Sequence, residues 1–209
     1  GGTGKCAAQL FAALGGVAYG GLEISSLGTC LPQGVHLPDP VSLSLTLLVI
    51  VGVTNAINLS DGLDGLAGGT SLLAFLGIGF LCWTGGDFPE KNFIMTLCTA
   101  IGGAVFGFLR FNTYPATVFM GDAGSQLLGF LVATLSLSIT QRDGTALSPL
   151  VPLLLLGFPV LDTLSVLVER IAAGRPPFVA DNNHIHHKLL RLGLYHSEAV
   201  VAIYGITAI

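Results

Sequence analysis

Three groups of polar residues in this 209-residue chain carry the side chains that could do chemistry. In the first group, Asn55, Asn58, Asp61 and Asp64 follow one another at intervals of three residues, with a glycine after each aspartate. Two carboxylates beside an apolar segment are costly unless a cation or hydrogen bonds compensate their charge. The run predicts a turn that opens a helix and a site for a cation, with a solvated loop of helix caps as the alternative.

The second group surrounds Asp122, which lies among glycines in the run Phe-Met-Gly-Asp-Ala-Gly-Ser. Small neighbours let both the backbone and the carboxylate approach a phosphate or Mg²⁺, an ion that prefers hard oxygen ligands. Phe119 is placed to stack on a nucleobase, and Asn112 to hydrogen-bond its edge. The alternative for Phe119 is the aromatic belt that marks membrane surfaces.

The third group is rich in histidine. Possible N-caps at 181–183 and a stop at Gly193 predict a short amphipathic helix between them. Its cationic stripe is predicted to consist of His184, His187, Lys188 and Arg191. Such a stripe suits a diphosphate or an anionic headgroup, and the alternatives are a zinc site or a plain basic helix on a membrane surface.

The composition is that of a membrane protein. Hydrophobic residues make up 52% of the chain, charged residues only 10%, and the mean hydropathy is +0.79. The net charge of -4 gives no general basic surface, so a nucleic-acid partner is not expected. The four cysteines form no Cys-x-x-Cys pair and are expected to have no chemical role.

Long apolar segments position these groups. A membrane-spanning helix needs about 20 apolar residues, and the sequence predicts an all-α, polytopic transmembrane bundle in a single domain over 1–209. It has six full spans plus part of a seventh at 197–209. The six lie at about 7–27, 41–59, 66–84, 93–111, 124–140 and 148–169.

The basic residues predict the orientation of the bundle. If the loops alternate between sides, six basic residues share one side and only Lys91 and Arg142 lie on the other. The six are Lys5, Arg110, Arg170, Arg175, Lys188 and Arg191. Because cytoplasmic loops carry an excess of Lys and Arg, the side with six, which also holds all three polar groups, is predicted to be cytoplasmic.

In order and spacing, the three groups resemble signature motifs of the polyprenyl-phosphate N-acetylhexosamine-1-phosphate transferases, in glycosyltransferase family 4. The matching runs are Asn55-x-x-Asn58-x-x-Asp61-Gly-x-Asp64-Gly-Leu-Ala, Phe119-Met-Gly-Asp122-x-Gly-Ser and His184-Ile-His186-His187. The His-Ile-His-His form, preceded by Arg-Pro-Pro-Phe, is more similar to the undecaprenyl-phosphate GlcNAc-1-phosphate branch. The phospho-MurNAc-pentapeptide branch typically has an unbroken histidine triplet there.

The resemblance implies roles for individual residues. Asp122 and Asp61 would bind Mg²⁺, with Mn²⁺ as an alternative, and Asn112 and Phe119 would hold uracil. Catalysis would involve Asp61, Asp64, Asp122, His184, His186 and His187. Substrate binding would involve Lys5, Asn58, Asn112, Phe119, Arg175 and Lys188.

The implied activity is transfer of N-acetylglucosamine-1-phosphate, or a related N-acetylhexosamine-1-phosphate, from a UDP-sugar to undecaprenyl phosphate, with release of UMP. This would be the first membrane step of cell-envelope polysaccharide synthesis, at the cytoplasmic face of the plasma (inner) membrane. The expected partners are the UDP-sugar, the lipid phosphate and the bilayer, and a homodimer stays open. The alternatives are a phospho-N-acetylmuramoyl-pentapeptide transferase, a transporter that uses intramembrane acids such as Asp162 and Glu23, or a lipid-binding protein without turnover.

Lys5 and Gln9 resemble the Lys and Gln that follow a paired-aspartate motif in this family. That pair should lie just upstream of Lys5, whereas the sequence begins at Gly1. The chain is therefore expected to be truncated at both ends, since it also stops within an apolar run. The segment alone is expected to be inactive.

Overall fold

A computed structural model describes residues 2–27, 35–141, 156–174, 176 and 184–208. Within these ranges every regular element is a helix, as predicted. The helices are α1 (Gly2–Gly20), α2 (Asp39–Ser60), α3 (Leu66–Thr84), α4 (Lys91–Asn112), α5 (Gly121–Thr140), α6 (Gly157–Ala172), α7 (Ile185–Arg191) and α8 (His196–Thr207).

Four helices, α2 to α5, are long and apolar enough to cross a membrane. They confirm the predicted spans at 41–59, 66–84, 93–111 and 124–140 to within three residues at each end. The first and sixth predicted spans are not confirmed as full crossings. Helix α1 ends at Gly20 because Gly21 turns the chain with φ +61°, and α6 begins at Gly157, with 148–155 outside the described residues.

The predicted opening after α2 is confirmed. Helix α2 ends at Ser60, and α3 begins at Leu66 after the turn 61–65. Gly65 closes this turn with φ +83°, a left-handed conformation that residues with a side chain rarely adopt. Both aspartates of the first polar group therefore lie outside the regular helices.

Helices α2 and α5 pack at very close range. A Cβ atom at Gly129 would lie 2.8 Å from Cα of Thr54, so the two backbones nearly touch at this crossing. Small residues permit this kind of approach between membrane helices. Around the crossing lies the main hydrophobic core, which includes Ile50, Val53, Ile57, Phe75, Ile78, Val132 and Ala133.

A second, smaller core holds α8 against the turn 61–65. Its buried members are Leu63, Leu66, Phe158, Ala199, Val200 and Ile203. Leu63 and Leu66 flank Asp64, so burial of these two leucines fixes the turn from both sides. The segment 197–209, predicted as the start of another span, thus lies largely in α8, a helix of 12 residues with one buried face.

The far ends of the helices are joined by the extended segment after α1. Ile24 donates its backbone N–H to Oγ1 of Thr46 at 2.9 Å, and Ser42 Oγ donates to the carbonyl of Ile24 at 2.8 Å. The side chain of Gln141 accepts from the backbone N–H of Ser25 at 3.1 Å. Because these contacts link α1, α2 and α5, they set the relative heights of the three helices.

We predict that Gly129→Ala destabilises the protein by about 1–3 kcal/mol, because the added methyl group must push apart the backbones of α2 and α5. The measurement is the melting temperature of the detergent-solubilised protein. Gly107→Ala in α4 is the matched control, since a Cβ there meets nothing within 4 Å. Equal melting temperatures for the two variants would contradict the proposed close packing.

Candidate active site at the ends of α2 and α5

The first two polar groups meet where α2 ends and α5 begins. Asn58 donates through Nδ2 to Oδ1 of Asp122 at 3.3 Å and to Oγ of Ser125 at 2.8 Å. The other carboxylate oxygen of Asp122 forms an ion pair with Lys5 of α1. Three helices that are distant in sequence therefore contribute to one polar cluster.

A layer of amide side chains lies one helical turn deeper. Gln9 and Asn55 exchange hydrogen bonds at 2.9 and 3.3 Å, and Gln9 also donates to Gln126 at 3.1 Å. Gln9 is buried, so these amide groups form with one another the hydrogen bonds that water would otherwise provide. This layer fixes the helix faces that present Lys5 and Asp122.

Asp61 is half-buried beside the cluster. Burial, then the charges of Asp122 and Asp64, raise the pKa of Asp61 from 3.8 to about 6. Asp61 thus lies near enough to both Asp122 and Asp64 for their charges to act on it at one end of the bundle. The roles that the sequence motifs predicted for these residues in metal binding and catalysis stay predictions.

The site fits a magnesium ion through its charge and its oxygen atoms. Mg²⁺ is usually held by one or two carboxylates, several waters and substrate phosphates rather than by a cage of protein ligands. Among the described residues there is no group of three or more His, Cys, Asp or Glu side chains that could hold a metal alone. Metal binding by Asp122 and Asp61 therefore stays a prediction, supported by the repulsion that a cation would relieve.

Asp64 is held through its own backbone and its carboxylate. Its Oδ2 accepts the backbone N–H of Ala116 at 3.0 Å, and its N–H donates to Nε2 of His196 at 3.0 Å. The ring of His196 stacks on Tyr114 with centroids 4.7 Å apart. The sequence motifs gave no sign of His196, because it lies 132 residues from Asp64 in the chain.

Asn112 and Phe119 lie in different environments. Asn112 is buried and braces the turn 61–65, because its Oδ1 accepts from Gly65 N at 3.1 Å and its Nδ2 donates to Val118 O at 2.9 Å. Phe119 is 74% exposed and free to contact a ligand. The predicted contacts of both residues with a nucleobase are not tested by these positions.

The third group differs from the predicted stripe at His184. This residue precedes α7 in an extended conformation, and its buried ring contacts Asp162 with Nδ1 and Oδ2 3.0 Å apart. Asp162 also accepts the backbone N–H of Ile185 at 2.7 Å. The prediction that His184 belongs to one cationic stripe is therefore wrong. Its ring is buried against the carboxylate of Asp162 instead.

His186 connects the third group to the first. It is 1% exposed, and neither ring nitrogen has a hydrogen-bond partner among the described residues. A Cβ at Gly62 would lie 2.5 Å from its Nε2, so the ring rests on the turn 61–65. Burial, then the nearby His187, lower the pKa of His186 to about 4, and the ring is neutral at pH 7.

Three further residues of the third group belong to α7 or follow it directly. The ring of His187 lies 4.2 Å from that of His186, between centroids. Lys188 forms an ion pair with Glu169 of α6 at 2.6 Å. Gly193, with φ +95°, ends the short helix as predicted, whereas Arg175 and the predicted caps at 181–183 lie outside the described residues.

The family model described as glycosyl transferase family 4 matches residues 1–140 of this chain. Similar curated proteins include the "Probable undecaprenyl-phosphate N-acetylglucosaminyl 1-phosphate transferase" of Bacillus subtilis (strain 168), 42% identical over 78% of this chain and 44% of that protein. The "Undecaprenyl-phosphate alpha-N-acetylglucosaminyl 1-phosphate transferase" of Escherichia coli (strain K12) is 34% identical over 95% of this chain and 55% of its own length.

A third relative is the "Decaprenyl-phosphate N-acetylglucosaminephosphotransferase" of Mycolicibacterium smegmatis, 39% identical over 90% of this chain and 50% of its own length. The chain thus spans about half the length of the curated relatives it matches.

We predict that Asp162→Ala lowers stability by about 1–3 kcal/mol or more, because it leaves the N–H of Ile185 and the ring of His184 without their acceptor. Asp162→Asn keeps one carbonyl oxygen and should have a smaller effect. Thermal unfolding in detergent measures both. Asp87→Ala is the control, since the side chain of Asp87 is fully exposed and its ion pair with Lys91 contributes little to stability at the surface. A melting temperature for Asp162→Ala equal to that of the control would show that the contacts of Asp162 with His184 and Ile185 do not stabilise the protein.

We predict that Asp61 titrates near pH 6 in metal-free protein. Its pKa in the folded protein lies above its ordinary value of 3.8, so the folded protein keeps a proton that the unfolded chain has released. Its contribution to stability therefore falls as the pH rises from about 4 to about 6. Carboxyl ¹³C NMR of labelled aspartate, assigned with Asp61→Asn, measures the midpoint.

Asp122→Asn should lower that midpoint without restoring 3.8, because burial is the largest cause of the shift. A midpoint unchanged by Asp122→Asn would refute the predicted repulsion between the two carboxylates, and a wild-type midpoint near 4 would refute the effect of burial as well.

Proposed function

Because this chain belongs to glycosyl transferase family 4, we propose that it forms part of a membrane enzyme that transfers N-acetylglucosamine-1-phosphate from a UDP-sugar to undecaprenyl phosphate. The single observation that carries the proposal is the meeting of Asp61, Asp64 and Asp122 at one end of four apolar helices. An acceptor lipid lies in the bilayer and a nucleotide sugar lies in water, so the site must sit at a membrane surface.

In the proposed reaction, an oxygen of the lipid phosphate forms a bond to the β-phosphorus of the UDP-sugar. The bond from that phosphorus to the bridging oxygen breaks, and UMP leaves with the electron pair. The donor and the acceptor are both anionic, so the site must offset charge as the phosphate oxygens approach. The carboxylates alone would repel them.

Magnesium, when bound by Asp122 and Asp61, would supply this charge neutralisation and polarise a phosphoryl oxygen. Lys5 is already paired with Asp122, and Asn58 donates to the same carboxylate, so both stand within reach of a phosphate placed there. Together with Lys188 and Arg175, these side chains are proposed to bind substrate.

The histidines are proposed to contact the diphosphate or the sugar. His186 is neutral, and neither ring nitrogen has a partner within the described part of the chain, so the ring can donate one hydrogen bond and accept another. His184 is held by Asp162 and would orient the start of α7. Phe119, with its exposed ring, and Asn112 are proposed to bind uracil.

The location belongs to the same proposal. A plasma (inner) membrane site facing the cytoplasm is supported by the six-to-two distribution of basic residues.

Asp162, which the transporter alternative placed on an ion path, has both carboxylate oxygens occupied by His184 and Ile185. A homodimer stays a prediction.

We predict that the full-length protein in detergent releases UMP from UDP-GlcNAc when Mg²⁺ and undecaprenyl phosphate are present. Asp122→Asn should lower the rate on the order of 100-fold or more, because it removes a charge proposed to hold the metal. Asp87→Asn, at the opposite end of α3, is the matched control and should keep the wild-type rate.

Full activity of Asp122→Asn would end its metal role, and absence of UMP release from correctly folded wild-type protein would end the proposed activity. Mass spectrometry of the lipid product identifies the sugar transferred. A product mass with MurNAc-pentapeptide would favour the alternative branch.

A further inference from the structure

One face of α8 covers the turn that carries Asp64. The residues on this face recur at helical spacing, and their apolar members are buried against Leu63 and Leu66. They are His196, Ala199, Val200, Ile203 and Tyr204. The apolar middle anchors the helix, and a polar ring stands at each end of the face.

Both polar rings bond to the backbone of the turn. His196 accepts the N–H of Asp64 at Nε2, 3.0 Å away, and Tyr204 donates its hydroxyl to the carbonyl of Gly65 at 2.5 Å. Gly69 makes room for the tyrosine, because a Cβ there would lie 2.0 Å from its hydroxyl oxygen. Helix α8 therefore holds two successive residues of the turn by directional bonds.

The position of the Asp64 carboxylate depends on these two hydrogen bonds to the backbone. Its Oδ2 accepts the N–H of Ala116, which fixes one oxygen, while His196 fixes the peptide from which the side chain departs. Losing the contact with His196 would let the peptide rotate and move the carboxylate relative to Asp61. At an active site, a displacement of about 1 Å can cost on the order of 100-fold in rate.

We propose that His196 is a positioning residue for the transfer reaction, which orients Asp64 by accepting its backbone N–H at Nε2. The expected kinetic effect rests on the proposed function. The hydrogen bond between His196 and Asp64 does not depend on it. Since a backbone N–H can only donate, Nε2 must be the unprotonated nitrogen and the ring proton must lie on Nδ1. The stack on Tyr114 holds the ring in the plane that this bond needs.

The position of His196 within α8 is fixed locally. The backbone N–H of Tyr195 donates to Oε2 of Glu198 at 2.8 Å, which closes the first turn of the helix. His196 is the first residue of that turn. The ring therefore projects from a capped helix end and not from a loose loop.

Two substitutions separate the hydrogen bond from the stack. His196→Gln keeps a side-chain acceptor but no ring, and His196→Phe keeps a ring against Tyr114 but no acceptor. We expect His196→Phe to lower kcat for UMP release by about 10- to 100-fold with KM for UDP-GlcNAc changed little. We expect His196→Gln to recover most of that loss.

Controls separate this role from folding. His36→Ala removes an exposed histidine at the other end of the molecule and should leave kcat unchanged. Tyr204→Phe, which removes only the hydroxyl bond to Gly65, should lower kcat in the same direction. Melting temperatures of all variants are measured, and only those that fold like the wild type enter the comparison.

A third measurement does not depend on turnover. In the ¹⁵N spectrum of ring-labelled histidine, assigned with His196→Gln, Nε2 of His196 should be unprotonated and Nδ1 protonated at neutral pH. The opposite tautomer would overturn the proposal even if the enzyme is active. Wild-type activity in His196→Phe, or a Gln variant no better than Phe, would overturn it as well, whereas a wild type that releases no UMP would refute only the proposed function.

Discussion

The close approach of α2 and α5 at Gly129 is the constraint on which the rest of the site depends. With the backbone of Thr54 against this glycine, the two helices are locked in height as well as in distance. Asn58, one turn along α2, then reaches Ser125 and Asp122 at the start of α5. A wider crossing would leave these side chains facing lipid or water.

The site gathers negative charge where a membrane protein can least easily hold it. Asp61 shows the cost, since its pKa is raised by burial and by two other carboxylates. Part of that cost is offset by Lys5 and by the amide of Asn58. The unbalanced remainder is the physical basis for expecting a divalent cation and an anionic substrate to complete the site.

The turn 61–65 is the point where all three polar groups meet. His186 rests on Gly62, α8 bonds to Asp64 and Gly65, and Asn112 bonds to the same glycine from the end of α4. A side chain at Gly62 would collide with the histidine ring, and one at Gly65 would strain the left-handed backbone. The glycines of the first motif thus let the third motif dock.

The sequence by itself determined the helical membrane character, four spans and the residues of the three groups, because hydropathy and motif spacing are local properties of the chain. Only the tertiary structure decided how these residues pair. His184 contacts Asp162 and does not lie in the predicted stripe, and His196 is a hydrogen-bond partner of Asp64. Such contacts join residues far apart in the chain through the packing of α6 and α8, and no periodicity in the sequence encodes them.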